Sequence, residues 1–159
     1  MITIVSCSHY PDDERIYHKE VKTLAQKNYS INYFTLSESE QNLSDKNINH
    51  INYSSATATI KEYIDLVELK IIETPTKVIH IHEPELFSLA TNIKKILGAK
   101  IIYDVHEDYI SMIYTFSRWN KYIKYLKAKY WLLKEKNFLK KVDEIIIASS
   151  TIVNSDFKT

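Results

Sequence analysis

At 159 residues, with twenty-one Lys and Arg against twenty Asp and Glu and a formal net charge of +1, the chain fits one ordinary domain with a real core. It carries no global field that argues for nucleic acid. One cysteine, Cys7, excludes an internal disulfide framework and fits a reducing compartment, and one glycine, Gly98, excludes a Gly-rich phosphate cradle.

In chain order, ITIVSC (2–7) is a short β-branched run suited to a buried strand. The N-terminal MITIVSCSHYPDDE has neither a basic n-region nor a long apolar run, and no later stretch approaches the ~20 apolar residues of a membrane span. The expectation is a soluble, cytoplasmic protein. DERIYHKEVKTLAQKN (13–28) has Ile16, Val21, Leu24 and Ala25 near helical spacing, with Asn28 as a left-handed C-cap. SINYFTL (30–36) predicts a second strand, SESEQNLSDKN (37–47) a polar loop, and INHINY (48–53) a short third strand. ATIKEYIDLVELKIIE (58–73) places apolar residues at 60, 64, 67, 71 and 72, a helical stripe ended by Pro75.

The second half alternates more clearly. KVIHIH (77–82) is a strand, PELFSLATNIKKILG (84–98) a helix that opens on Pro84 and closes on Gly98, and KIIYDV (100–105) the next strand. A long helix from about Arg118 to Lys141 leads into the strand DEIIIAS (143–149), after which TIVNSDFKT starts another turn. In that helix Trp119, Tyr122, Ile123, Leu126, Tyr130 and Leu133 form one stripe, expected to pack on the sheet. Tyr125, Leu132 and Leu139 recur every seven residues on another face among lysines. Apolar residues ringed by cations suit an anionic membrane surface, a partner helix or a second domain, and equally a solvated helix with snorkelling lysines.

Strands too apolar to face water, alternating with helices, imply a parallel sheet covered on both faces. With right-handed crossovers the fold class is α/β, a Rossmann-like three-layer sandwich with a mostly parallel sheet. Ligands in such sheets bind outside the carboxyl ends of the strands. The polar residues there are Ser6, Ser8 and His9; His82, Glu83 and Glu85; Asp104, His106, Glu107 and Asp108; and Ser149, Ser150 and Thr151. Helix capping accounts for many of the acids and hydroxyls, but poorly for His9, His82 and His106. Strand alternation sets Asp104 and His106 on one face, so Asp104 can orient the imidazole.

Several of these residues have two readings. His80 and His82 share a strand face and with Glu83 form an incomplete zinc set. Arg15 suits an ion pair with an aspartate as well as a ligand contact. Cys7 is expected to be a small core residue. Tyr10, Tyr109 and Trp119 suit sugar stacking or packing.

The segments SCSHYPDDERIYHKEVKTLAQKNYSINYFT and VIHIHEPELFSLATNIKKILGAKIIYDVHEDY resemble the N-terminal domain of glycosyltransferase family 4, retaining enzymes of the GT-B fold. They are most similar to bacterial members of polysaccharide and lipopolysaccharide pathways. The first-loop pattern falls on His9, Asp13, Arg15 and Ile16; HxHxPEL falls on His80, His82, Pro84, Glu85 and Leu86; DVHED falls on Asp104 to Asp108. The resemblance covers essentially the whole chain. Asn28-Tyr29 stands where many members have glycine before the aromatic, and asparagine tolerates the left-handed conformation there.

The resemblance implies an acceptor-side domain, residues 1–159, whose donor-binding C-terminal partner lies outside this chain. It implies His106 facing the donor sugar; with Asp104, which strand alternation sets beside it, this is the expected catalytic pair. His9, Asp13, Arg15, His82, Glu83, Glu85, Glu107, Asp108 and Ser150 are the expected substrate-binding residues. The implied partners are a nucleotide sugar and a glycan or lipid-linked acceptor, without metal or other cofactor. The chain alone is expected to be inactive. The alternative is a flavodoxin-like binding or regulatory module without transferase activity.

Overall fold

In the computed structural model, which describes residues 1–39, 41–106 and 108–148, the apolar runs become six strands of one sheet. They are β1 (Ile2–Val5), β2 (Ile31–Leu36), β3 (Ile48–Tyr53), β4 (Val78–Ile81), β5 (Lys100–Val105) and β6 (Glu144–Ile147). All five pairings are parallel, in the order β3-β2-β1-β4-β5-β6. Each of the six residues of β2 is buried, as a strand covered on both faces requires.

Alternation along the strands divides the core between the two faces. Ile4, Ile31 and Tyr33 meet Ile16, Tyr17 and Val21 of the first helical segment. Val5, Phe34, Ile81 and Tyr103 face the opposite way, onto α2 (Ile60–Ile72), α3 (Phe87–Leu97) and the C-terminal end of α5 (Lys121–Leu139). There Phe138 stacks on Phe87 with ring centroids 3.9 Å apart. This is the three-layer, doubly wound arrangement expected from the sequence.

Local chemistry sets the element ends. Thr59 and Glu62 form a reciprocal capping box at the start of α2. Asn28 and Gly98 take positive φ values of 64° and 67°, the left-handed geometry that ends a helix. Among the described residues, no helix is long and apolar enough to cross a membrane.

The first helical segment departs from α geometry. Glu14–Val21 is a π-helix that runs into α1 (Lys22–Gln26), and His18 N–H donates to the Asp13 carbonyl five residues back. In an α-helix, residues five apart diverge by about 140° around the axis. The wider π turn instead brings Arg15 and Glu20 together, with Arg15 Nε 3.4 Å from Glu20 Oε1.

Two helical stripes differ from expectation. In α2 the buried face is Tyr63, Val67 and Ile71, while Ile60 and Ile72 are exposed. Tyr63 wins a core position because its hydroxyl donates to the Ser6 carbonyl at 2.9 Å. In the long helix, Trp119, Tyr122, Ile123, Leu126, Tyr130 and Leu133 are all exposed rather than packed on the sheet. The inward face is Ala128, half-buried Trp131 and Phe138. Apolar residues surround this helix on every side, so hydrophobicity alone does not choose the face. A separate helix, α4 (Tyr109–Phe116), packs beside α5 and is not predicted by the apolar spacing.

Candidate active site

The sheet order reverses between β1 and β4, and a crevice opens there beyond their carboxyl ends. It is a cleft of about 190 Å³, lined among others by Cys7, His9, His82, Glu85, His106 and Tyr109. His9 and His106 therefore share one concavity, and the His82 ring, 0% exposed, lies sealed beneath it. His9 and His106 have ring centroids 5.3 Å apart, and His82 and His106 4.8 Å apart in an edge-on arrangement.

The residues behind His106 form a connected polar stack. Its Nε2 is 2.8 Å from His82 Nδ1 and 3.3 Å from Asp104 Oδ2. Asp104, 0% exposed, receives the Arg15 guanidinium, whose Nη2 donates to Oδ1 at 2.8 Å and to Oδ2 at 2.9 Å. Burial works against the charge on Asp104, but hydrogen bonds with His106, Glu20 and Arg15 outweigh it and hold the carboxyl well below its usual range. Burial, then the neighbouring Asp104, pushes Glu20 up to about 9. Burial also lowers His80 to about 4 and drives His82 well below the ordinary imidazole value, so both rings are neutral near pH 7. Among the described residues no hydrogen bond reaches His106 Nδ1, and the residue lines the cleft.

Other candidate residues have structural partners. Asp13 caps the π-helix, its Oδ1 accepting from the Arg15 and Ile16 amides at 2.9 Å each; its Oδ2 lies 3.7 Å from His9 Nδ1. Glu83 is buried and binds the first loop, Oε1 accepting from Ser6 Oγ at 2.7 Å and from the amides of Cys7 and Ser8 at 3.2 Å. Burial pushes its carboxyl up. Glu85 accepts from the Tyr109 hydroxyl. Asp108 caps α4 by accepting from the Ser111 amide at 3.0 Å. Cys7 is buried at the cleft edge, and burial, with Glu83 and Glu85 nearby, pushes its thiol up. Tyr10 is exposed and Trp119 lies outside the cleft lining. Glu107, Ser149, Ser150 and Thr151 lie outside the described residues.

Glu20 is the residue that sequence reasoning misses. A 3.6-residue period turns it away from Arg15, and only the π geometry brings both over β4 and β5. The one available signal is that Glu20 is an acid on the helix that follows a rim loop.

No protein-family model matches the chain, and no curated protein matches it in sequence. Solved structures do. Sucrose-phosphate synthase from Thermosynechococcus elongatus aligns at 13% identity and a TM-score of 0.69 over 93% of this chain and 42% of its own. Os79 from O. sativa, solved with UDP and deoxynivalenol-3-glucoside, aligns at 11% identity and a TM-score of 0.57 over 97% of this chain and 48% of its own. The chain thus spans less than half the length of each. A short-chain dehydrogenase/reductase from Burkholderia vietnamiensis aligns at 9% identity and a TM-score of 0.48, too low to carry an argument. The first two likenesses establish the Rossmann-like α/β fold.

Proposed function

We propose that this chain is the acceptor-side domain of a retaining glycosyltransferase that moves a sugar from a nucleotide-sugar donor to a glycan or lipid-linked acceptor. One observation carries the reading: His9 and His106 face a single cleft at the switch point, with buried His82, Asp104 and Arg15 locked behind them. Support also comes from the fold, shared with sucrose-phosphate synthase and with a protein solved holding UDP. The bacterial cell-surface polysaccharides suggested by the family 4 resemblance are the acceptor class we favour.

Transfer from a sugar nucleotide passes through an oxocarbenium-like state while diphosphate leaves. The cleft supplies hydrogen-bonding groups for sugar and acceptor hydroxyls. His106 presents Nδ1 to the sugar while its other nitrogen is held by His82 and Asp104, so ring orientation is set before substrate arrives. His9, braced between Asp13 and Glu83 at 3.7 and 3.8 Å, is the group we assign to the acceptor. Arg15 positions Asp104 and does not reach the substrate. None of the described residues lining the cleft is Lys or Arg, so we assign neutralisation of the leaving diphosphate to a second domain.

The test is transfer of labelled sugar from a panel of nucleotide sugars by the protein carrying this domain, wild type against His106→Ala. The expected loss is about 10²-fold or more in turnover, with little change in melting temperature. Equal turnover in the variant would remove His106 from the chemistry. A wild-type protein that neither binds nor uses any nucleotide sugar would favour the binding-module reading.

A further inference from the structure

Beneath the cleft floor, between the π-helix and the sheet, three buried polar atoms lie close together, and among the described residues none has a hydrogen-bond partner. His80 and His82 lie two residues apart at the end of β4, so alternation puts both rings on one face, with centroids 4.6 Å apart. They are 3% and 4% exposed. Glu20 reaches down from the π-helix, its Oε2 standing 3.9 Å from His80 Nε2 and 3.7 Å from His82 Nε2. These separations are too long for hydrogen bonds. Glu20 Oε2, His80 Nε2 and His82 Nε2 are all buried without a hydrogen-bond partner among the described residues. Asp104 closes the fourth side, and one ligand atom from each of the four residues lies within 4.8 Å of the others.

Native interiors seldom leave one such atom unpaired, and here three converge. Their spacing is that of ligands around an ion rather than of a hydrogen-bonded set. Metal bonds of about 2.0–2.1 Å at tetrahedral angles hold ligand atoms about 3.3 Å apart, so Glu20 needs to close on the two histidines by about half an ångström and the widest pair of the four by up to about 1.5 Å. Two imidazole nitrogens with carboxylate oxygens are a ligand set that suits zinc.

We propose that Glu20, His80, His82 and Asp104 bind one divalent transition-metal ion, zinc being the best fit. The ion sits behind the cleft, outside the path of the sugar, and the inference stands whether or not the domain serves a transferase. Its effect on the site is positional. Ligation through His82 Nε2 leaves the ring proton on Nδ1; with the ion bound and Asp104 turned to it, His106 Nε2 accepts that proton's hydrogen bond across 2.8 Å in place of donating to Asp104. That contact fixes the orientation and tautomer of the cleft histidine, as the outer partner of a metal-bound imidazole commonly does.

The experiment strips the full chain with chelator and titrates it with Co²⁺ and Zn²⁺. The expected result is one ion per chain, a visible Co²⁺ spectrum of nitrogen and oxygen ligation, and a raised melting temperature on Zn²⁺ addition. Glu20→Gln keeps the shape and removes a charged ligand; it should lower Zn²⁺ affinity at least about tenfold, while replacing the exposed His18 by Gln leaves it unchanged. Substoichiometric uptake by wild type, or equal affinity in Glu20→Gln, overturns the proposal. Should Glu20→Gln fail to fold, the wild-type spectrum decides, and ligation by oxygen alone overturns it.

Discussion

Asp104 is fully enclosed, and the guanidinium that neutralises it comes from a side chain still 32% exposed. Removing one partner of such a pair leaves a charge without compensation. Arg15→Met should therefore cost about 3 kcal/mol in chemical denaturation, the lower end of the range for a buried pair because Arg15 is not itself sealed. Arg15→Lys should also destabilise, since an ammonium lacks the fork that meets both carboxylate oxygens. A loss well below 1 kcal/mol for Arg15→Met would mean that water reaches Asp104. On the same sheet face but at the β3 edge, His50 offers an independent pH test. Its Nδ1 accepts from the Leu43 amide, so Nε2 must carry the proton shared with Thr35 Oγ1 at 2.9 Å. The neutral ring is satisfied, and burial lowers its pKa from 6.5 to about 4. Between those values the unfolded chain binds a proton that the folded one refuses, so this contribution is full above pH 6.5 and is lost as pH falls towards 4. His50→Gln should flatten the acid side of the stability profile; an unchanged slope from pH 6.5 to 4 would place the dependence elsewhere.

Helix ends and helix faces depend on different information. Gly98 is needed for its backbone, because a Cβ there meets nothing within 4 Å while φ is +67°. Gly98→Ala should cost about 1 kcal/mol from conformation alone, whereas Asn28→Gly should be near neutral or slightly stabilising by thermal melting. The Asp13 cap belongs to this scale as well. Its carboxylate takes two amides at the mouth of the π-helix, so Asp13→Ala should lose about 1 kcal/mol and loosen the segment that delivers Arg15 and Glu20. The ends at Asn28, Gly98 and Pro84 were readable, since these residues act through local geometry. The faces of α2 and α5 were not. Tyr63 is buried because a carbonyl 57 residues away accepts its hydroxyl, and the inward face of α5 follows from where Phe87 and Tyr103 lie.

For the molecule as a whole, two surfaces await partners. The exposed side of α5 carries Tyr122, Tyr125 and Tyr130 among six lysines and one glutamate, with exposed Phe116 of α4 beside it. We expect this surface to meet anionic lipid, at about 1 kcal/mol per basic residue near the membrane. Co-sedimentation with anionic vesicles should then fall as salt shortens the screening length to about 10 Å at 0.1 M. No binding at low salt would reassign the surface to protein contact. The cleft is the second surface. Lacking a lining cation among the described residues, this chain alone should show no saturable micromolar binding of nucleoside diphosphate in calorimetry. Tight binding there would contradict the proposed division of labour between two domains.

The sequence by itself determined the layer order of this protein, the parallel sheet and the rim on which its polar residues gather. Those follow from period and from strand ends, which are properties of neighbours along the chain. It also placed Asp104 and His106 on one face, since alternation is local. Tertiary structure alone decided that Arg15 spends its charge on Asp104, that Glu83 binds the first loop, and that Glu20 joins His80 and His82. Each of these joins residues 60 or more positions apart, and the last needs a π turn that no hydrophobic period records. A spacing pattern can say which side chains reach a common rim; only packing decides which of them satisfy each other and which are left facing the cleft.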